Sequence, residues 1–383
     1  MDSRHHAKPR IELAIVQITS FCNIDCSYCY LAGRDQKNHL EPNTVAKIVE
    51  RLFEYGNIVS PFEWQWHAGE PLAIGLDRFI RCQNVLEKSF AYHNVVVNTS
   101  LQTNGILINK AWATFFASNN IKVGVSIDGP QDLHDDKRRD RAGRGTHYAA
   151  VRGLSHLLSA NVFTSALCVI GSQSLNRGAD IVRFFGEAGI KQLAFNFEEW
   201  EGENNSDTFA NYSSYELRTA VSQFVREVVA ARNEHYPSMR IREFDNFQVY
   251  LQCKPIVHRQ LSDPFYCLTI GHQGDVMTFS PELAGAKRAD GSTWSFGNIF
   301  DDTLIKILDR VLQSEDYDSI KIGVEKCRKD CGYFSFCGGG SPGNKYFENG
   351  SFASTETKYC KIRYKYLVDG MLDFILTDDH ALS

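Results

Sequence analysis

Long apolar runs are missing from this sequence: stretches such as Leu13–Val16 and Val95–Val97 fall far short of the ~18 residues needed to cross a membrane. The opening residues MDSRHHAKPR lack the apolar segment of a secretory signal, so the sequence reads as soluble and cytoplasmic. An excess of one charge is absent too. Its 41 basic and 46 acidic residues give a net charge of −5, and 23% charged with 43% hydrophobic residues excludes disorder and a strongly basic nucleic-acid binder. No fixed-period repeat or low-complexity tract is visible. What is there is a globular chain of 383 residues, about two domains long. Its 11 cysteines are odd in number and clustered, three within Cys22–Cys29 and four within Cys327–Cys360. Without an export signal, such clustering points to metal ligation more than to disulfides.

Period-two and period-3.6 apolar patterns alternate through the first ~235 residues, as expected of strand–helix units. The predicted strands are Ile11–Thr19, Phe62–Trp66, Val95–Leu101, Lys122–Val125, Phe163–Ile170 and Gln192–Phe197. The predicted helices are Pro42–Glu54, Leu76–Lys88, Lys110–Ser118, Thr146–Leu158, Gly178–Glu187 and Tyr215–Arg232. Alternation implies parallel strands with right-handed crossovers, in an open sheet or a partial barrel. Beyond about Arg240 the rhythm gives way to short apolar pieces, Gly-rich turns and cysteines. The division expected is residues 10–235 and 236–383. The mixed-charge run Asp135–Arg144 reads as a solvated loop.

Directly after the first strand stands Cys22-Asn-Ile-Asp-Cys26-Ser-Tyr-Cys29, a CxxxCxxC spacing. Structural zinc takes four ligands, and no fourth cysteine or histidine lies nearby in sequence. A [4Fe–4S] cube held by three cysteines leaves one iron open for a small molecule. In parallel β/α barrels functional residues gather at the C-terminal ends of strands, and polar segments recur there. After strand two comes His67-Ala68-Gly69-Glu70-Pro71, after strand three Gln102-Thr103-Asn104-Gly105, and after strand four Ser126-Ile127-Asp128-Gly129-Pro130.

These motifs resemble the radical S-adenosylmethionine (SAM) superfamily, with Tyr28 as the aromatic before the third cysteine. The resemblance implies an α/β fold, a partial (β/α)6 TIM-like barrel. It also implies a SAM-binding [4Fe–4S] cluster on Cys22, Cys26 and Cys29. SAM contacts would come from Tyr28, Ala68, Gly69, Glu70, Gln102, Asn104, Ser126 and Arg152. Ala68 departs from the superfamily's Gly-Gly-Glu-Pro pattern, which has glycine at that place. Reduction by an external donor such as flavodoxin or ferredoxin is implied as well.

Cys327, Cys331, Cys337 and Cys360 supply four thiolates, a set that suits zinc or a closed [4Fe–4S] site. The segment resembles the SPASM extension of radical SAM enzymes that modify peptides and proteins, which favours an auxiliary [4Fe–4S] cluster. Ser341 and the stretch Gly274–Ser280 stand where the fuller pattern has cysteines. One auxiliary cluster, two clusters in all, is therefore expected, with Cys267 an unassigned thiol. Cys82, Cys168 and Cys253 read as small buried hydrophobes.

The stretches Phe279–Leu283 and Cys331–Lys345 resemble the GrrM/OscB-like maturases that form cyclophanes in ribosomally made peptides. That resemblance implies a bond between an aromatic ring carbon and the Cβ of a nearby residue in a precursor peptide. Coupling must release a ring proton, so a carboxylate base is expected. Glu282 is the first candidate, with Glu198, Glu199 and Asp245 as alternatives. Two rival functions remain: oxidation of a sulfatase cysteine or serine to formylglycine, and a non-catalytic iron–sulfur or zinc protein. Twenty-one residues precede Cys22, so the barrel and C-terminal region are expected to grip the precursor directly, with no nucleic-acid or membrane partner.

Overall fold

The computed structural model describes residues 8–252, 261–288 and 290–377. Cys253, expected to be a buried hydrophobe, lies outside them. Six parallel strands carry the fold: β1 (Ile11–Gln17), β2 (Ile58–His67), β3 (Val97–Thr103), β4 (Lys122–Ser126), β5 (Thr164–Ile170) and β6 (Gln192–Phe197). They lie side by side in chain order, as a partial (β/α)6 barrel requires. In β5 the buried residues Thr164, Ala166, Cys168 and Ile170 alternate with half-buried ones. Of the latter, Ser165 and Leu167 line an inner cavity of about 570 Å³ together with Gln65, His67 and Gln102.

The helices are α1 (Pro42–Tyr55), α2 (Leu76–Tyr92), α3 (Lys110–Ser118), α4 (Gln131–Lys137), α5 (His147–Ser159), α6 (Gly178–Glu187) and α7 (Ser214–His235). Helix α1 begins on Pro42, whose missing N–H would be unpaired there anyway. It ends at Gly56, whose φ of 78° lets its N–H reach the Leu52 carbonyl. Trp64 and Trp66 of β2 pack with Phe79 and Phe90 of α2 and with Phe116 of α3, all fully buried. Burying each such side chain is worth roughly 1.5–3 kcal/mol. Cys82 and Cys168 are fully buried, as expected of small hydrophobes.

Beyond β6 a short β7 (Arg240–Ile241) closes that edge and leads into α8 (Arg242–Leu251). The chain then returns to the opposite edge. There β8 (Leu268–Ile270) pairs in parallel with β1, and β9 (Asp275–Met277) and β10 (Gly297–Asn298) follow antiparallel. Among the described residues seven further segments follow: α9 (Leu304–Leu312), α10 (Glu315–Asp330), α11 (Phe334–Cys337), α12 (Pro342–Asn349), α13 (Lys358–Cys360), a π-helical turn Lys361–Tyr366 and α14 (Leu367–Thr377). Helix α14 returns to the barrel, where Asp369 meets Arg218 of α7 at 3.1 Å. Among the described residues no helix is long and apolar enough to cross a membrane.

Candidate active site

Strand β1 ends at Gln17 and delivers Cys22, Cys26 and Cys29 in one turn, with Cys22 and Cys26 buried. The wall of that turn is the segment expected to be a solvated loop. Asp25 and Ser27 donate their backbone N–H groups to the Arg139 and Lys137 carbonyls at 2.7 and 3.0 Å. Part of the charge run is thus helix α4, and part is pinned to the cysteine turn by backbone hydrogen bonds. Burial pushes the Cys22 and Cys26 thiols up to about 12.

After β2, Gly69 has a φ of 58°, and a Cβ there would stand 2.5 Å from the Phe21 carbonyl and 2.6 Å from that of Thr19. Only glycine brings the backbone so close to the cysteine turn. Ala68 has a φ of 64°, so the superfamily's glycine is replaced at a left-handed position. Glu70 is 1% exposed and already has three protein donors: Leu72 N at 3.0 Å, Thr103 Oγ1 at 2.7 Å and Asn104 N at 2.8 Å. Its side chain therefore braces β2 against β3, and burial pushes its carboxyl up to about 7. Asn104 Nδ2 donates to Asn23 Oδ1 at 2.8 Å and lies 3.8 Å from the Cys22 sulfur. Gln102 Nε2 donates to Ser126 Oγ at 2.8 Å. Arg152 projects from α5 and is exposed.

A buried network escaped sequence reasoning. Arg138 and Asp128 are 6% and 2% exposed, and they form a fork, Nε to Oδ2 at 2.8 Å and Nη2 to Oδ1 at 3.0 Å. Tyr28 donates its hydroxyl to the same Asp128 at 2.6 Å. The Arg138 guanidinium stands 5.4 Å from the Tyr28 ring centre, and its Nη1 lies 4.0 Å from the Cys26 sulfur. Behind it, His134 Nδ1 accepts the Asp128 N–H at 3.3 Å, which leaves the ring proton on Nε2 beside Thr146 Oγ1 at 3.0 Å. Burial, aided by Arg138, holds this imidazole down at about 3, in its neutral form.

Three acids come together from two segments distant in sequence. Asn344 of α12 donates to Glu199 at 3.1 Å and to Glu201 at 2.6 Å. Burial, then Glu282, pushes Glu199 up to about 7; burial and Glu199 hold Glu201 well above the usual range. Burial raises Glu282, which accepts from Ser280. Phe279, just before it, is held at a φ of 74°, a strained place for a bulky residue. Tyr30 stands among Glu282, Cys29, Glu199 and Glu201, whose charges add to burial in pushing its phenol well up. Glu198 pairs with Lys137 at 3.6 Å. Asp245, the other alternative, forms an ion pair with Arg240 at 2.9 Å, and both line the inner cavity with Gln65, His67 and Gln102. Glu201 was missed, although it stands two residues from a named candidate.

The second thiol set gathers around α11. Cys331 N donates to the Cys327 carbonyl at 2.9 Å, and Gly338 at a φ of 63° turns the chain after Cys337. Cys337 is raised by burial and then by Cys331 and Cys327, and Cys360 is pushed up to about 12 by burial and Cys337. Lys345 and Lys365 stand beside these thiols and oppose the rise, as cations near a thiolate cluster should. Among the described residues no group of three or more His, Cys, Asp or Glu is drawn together to hold a single ion. Cys267 is 2% exposed, with its sulfur 3.5 Å from Thr269 Oγ1.

Residues 16–199 match the sequence pattern of the Radical SAM superfamily. The chain is 36% identical over 363 residues to an uncharacterised protein of Synechocystis sp., covering 93% of this chain and 90% of that one. It is 32% identical to the cysteine-type anaerobic sulfatase-maturating enzyme of Clostridium perfringens over 49% of this chain and 51% of that one. Among solved structures it resembles anSMEcpe with bound AdoMet, at a TM-score of 0.77 and 23% identity over 96% of this chain and 94% of that one. It also resembles Streptococcus suis SuiB bound to its precursor peptide SuiA, at a TM-score of 0.61 and 18% identity over 92% and 76%. At these identities the structural likenesses show the fold alone.

Proposed function

We propose, from the premise that the chain belongs to the radical SAM superfamily and is an enzyme of that chemistry, that it joins an aromatic ring carbon to a nearby Cβ in a ribosomally made peptide. The observation that carries this reading is the meeting of Glu282, Glu199 and Glu201 with Tyr30, the residue after Cys29. When bound, SAM with a cluster on Cys22, Cys26 and Cys29 supplies a radical that removes a hydrogen atom, and an auxiliary cluster on Cys327, Cys331, Cys337 and Cys360 takes up one electron.

The protein's own share is to hold the target Cβ–H and the ring together, exclude water, and accept one proton. After the new C–C bond forms, the ring must lose a proton and an electron to regain aromaticity. Glu282 would take that proton, and Glu199 and Glu201, both raised by burial, would keep neighbouring negative charge low. Tyr28, Gly69, Glu70, Gln102, Asn104 and Ser126 shape the place where SAM would sit, with Ala68 in the same turn; Arg152 would reach it only from an exposed start. Residues 10–235 would then generate the radical and 236–383 hold the auxiliary cluster.

Likeness to sulfatase-maturating enzymes favours a second reading, formylglycine formation on a protein. The test is mass spectrometry of a precursor peptide after anaerobic reaction with SAM and dithionite. A crosslink leaves a peptide short of two hydrogens that does not fragment between the joined residues. Formylglycine made from serine has the same mass change, but reacts with a hydrazide probe. Glu282→Gln retaining full crosslinking would remove Glu282 as the base.

A further inference from the structure

The cysteine turn meets solvent through a rim of cations. Arg34 lies on the residues that follow the turn, together with Lys37, while Arg139, Arg141 and Arg144 come from the segment after α4. Arg34 pairs with Asp25 at 2.6 Å and Arg144 with Asp140 at 2.7 Å, and Asp35 adds a third, exposed carboxylate. Lys37, Arg139 and Arg141 are exposed and have no carboxylate partner among the described residues. The rim is positive in a chain whose net charge is −5. It also surrounds an aromatic ring: Lys37 and Arg141 stand 5.7 and 5.3 Å from the centre of Phe21, the residue before Cys22.

This rim is wired to the cysteines. Arg141 Nε donates to the Cys22 carbonyl at 2.8 Å, and Arg34 Nη1 to the Cys26 carbonyl at 3.3 Å. The exposed Arg141 and the half-buried Arg34 are thus each one hydrogen bond from the backbone of a cluster-ligand position. We propose that this rim is the docking face for an acidic, low-potential, one-electron carrier protein, which delivers its electron through the Cys22–Cys29 turn. In that step the carrier is oxidised by one electron and the cluster on Cys22, Cys26 and Cys29 is reduced by one; no covalent bond is made or broken. The proposal rests on the superfamily assignment and is independent of which bond the enzyme forms in its substrate. Opposite charge at such a face raises the encounter rate and makes it sensitive to salt.

The test uses purified flavodoxin as the carrier and the cluster-loaded enzyme. Binding is measured by anaerobic calorimetry at low and high salt, and 5′-deoxyadenosine release is driven either by flavodoxin hydroquinone or by dithionite. In the double variant Lys37→Glu/Arg139→Glu, affinity for flavodoxin and the flavodoxin-driven rate should each fall by about tenfold or more. Dithionite-driven release, which needs no docking, should stay within about twofold of the parent enzyme. A control pair on the outer helices, Lys88→Glu/Lys110→Glu, changes net charge equally and should leave flavodoxin binding intact. Unchanged affinity in the rim variant, equal weakening in the control, or salt-insensitive binding of the parent enzyme would overturn the proposal.

Discussion

Asp128 holds Arg138 with two hydrogen bonds, at 2.8 and 3.0 Å, and at the same time receives the Tyr28 hydroxyl at 2.6 Å. One carboxylate thereby fixes the aromatic that precedes Cys29 and the guanidinium that approaches Cys26. The pair is shut off from water, so loss of one member leaves the other charge buried. Arg138→Leu should lower the free energy of unfolding by roughly 3–5 kcal/mol, read from anaerobic urea titrations followed by circular dichroism. Arg138→Lys should recover only part, because a lysine cannot reproduce the fork. A change below about 1 kcal/mol for Arg138→Leu would mean that water reaches the pair.

Ala68 and Gly69 make opposite predictions although they are neighbours. At a φ of 64°, Ala68 carries left-handed strain that glycine would relieve, so Ala68→Gly should stabilise by about 1 kcal/mol and raise the melting temperature. Gly69→Ala places a Cβ 2.5 Å from the Phe21 carbonyl and should displace the cysteine turn, weakening SAM binding in calorimetry. A melting temperature unchanged by Ala68→Gly would show that the turn stores no strain.

Stability and activity should slope in opposite directions with pH. Glu199 and Glu70 are each pushed up to about 7 by burial from an ordinary 4.5. Between those values the folded chain binds more protons than the unfolded one, so stability falls as pH rises through that window. Glu199→Gln should make the dependence of melting temperature on pH shallower. Glu282, raised by burial, must be ionised to act as a base, so kcat/KM should rise with pH along a limb displaced above the usual glutamate range. A limb unaltered in Glu282→Gln would assign it to another group.

Iron content separates the two thiol sets. The loaded protein should carry about eight irons, and Cys327→Ala/Cys331→Ala/Cys337→Ala about four, while still cleaving SAM. Cys22→Ala/Cys26→Ala/Cys29→Ala should keep the other four irons and cleave none. Cys267→Ala should leave iron unchanged, because its buried sulfur already has Thr269 as a partner. About twelve irons in the parent protein would show a further cluster.

What the sequence made legible follows from range. The six strand–helix units were readable because periodicity is local, and helices α3 and α6 end where the pattern predicts. The strand-end motifs were readable because each packs its chemistry into a few consecutive residues. The Asp128–Arg138 fork was not, since a stretch as charged as Asp135–Arg144 looks solvated until Asp128 is seen to accept one of its arginines. Glu201 was invisible for a similar reason: its partner Asn344 lies 143 residues away.

The pairing of β8 with β1 puts hydrogen-bond order at odds with chain order. The C-terminal segment does not simply hang from the last barrel strand; its first strand is zipped to the one that launches Cys22. Ala14, Ile15 and Val16 face Leu268, Thr269 and Ile270 in register. The sheet therefore acts as a ruler. Lengthening the connection after α8 should leave the spacing between the two cysteine sets nearly unchanged, whereas breaking that three-residue ladder should let it drift.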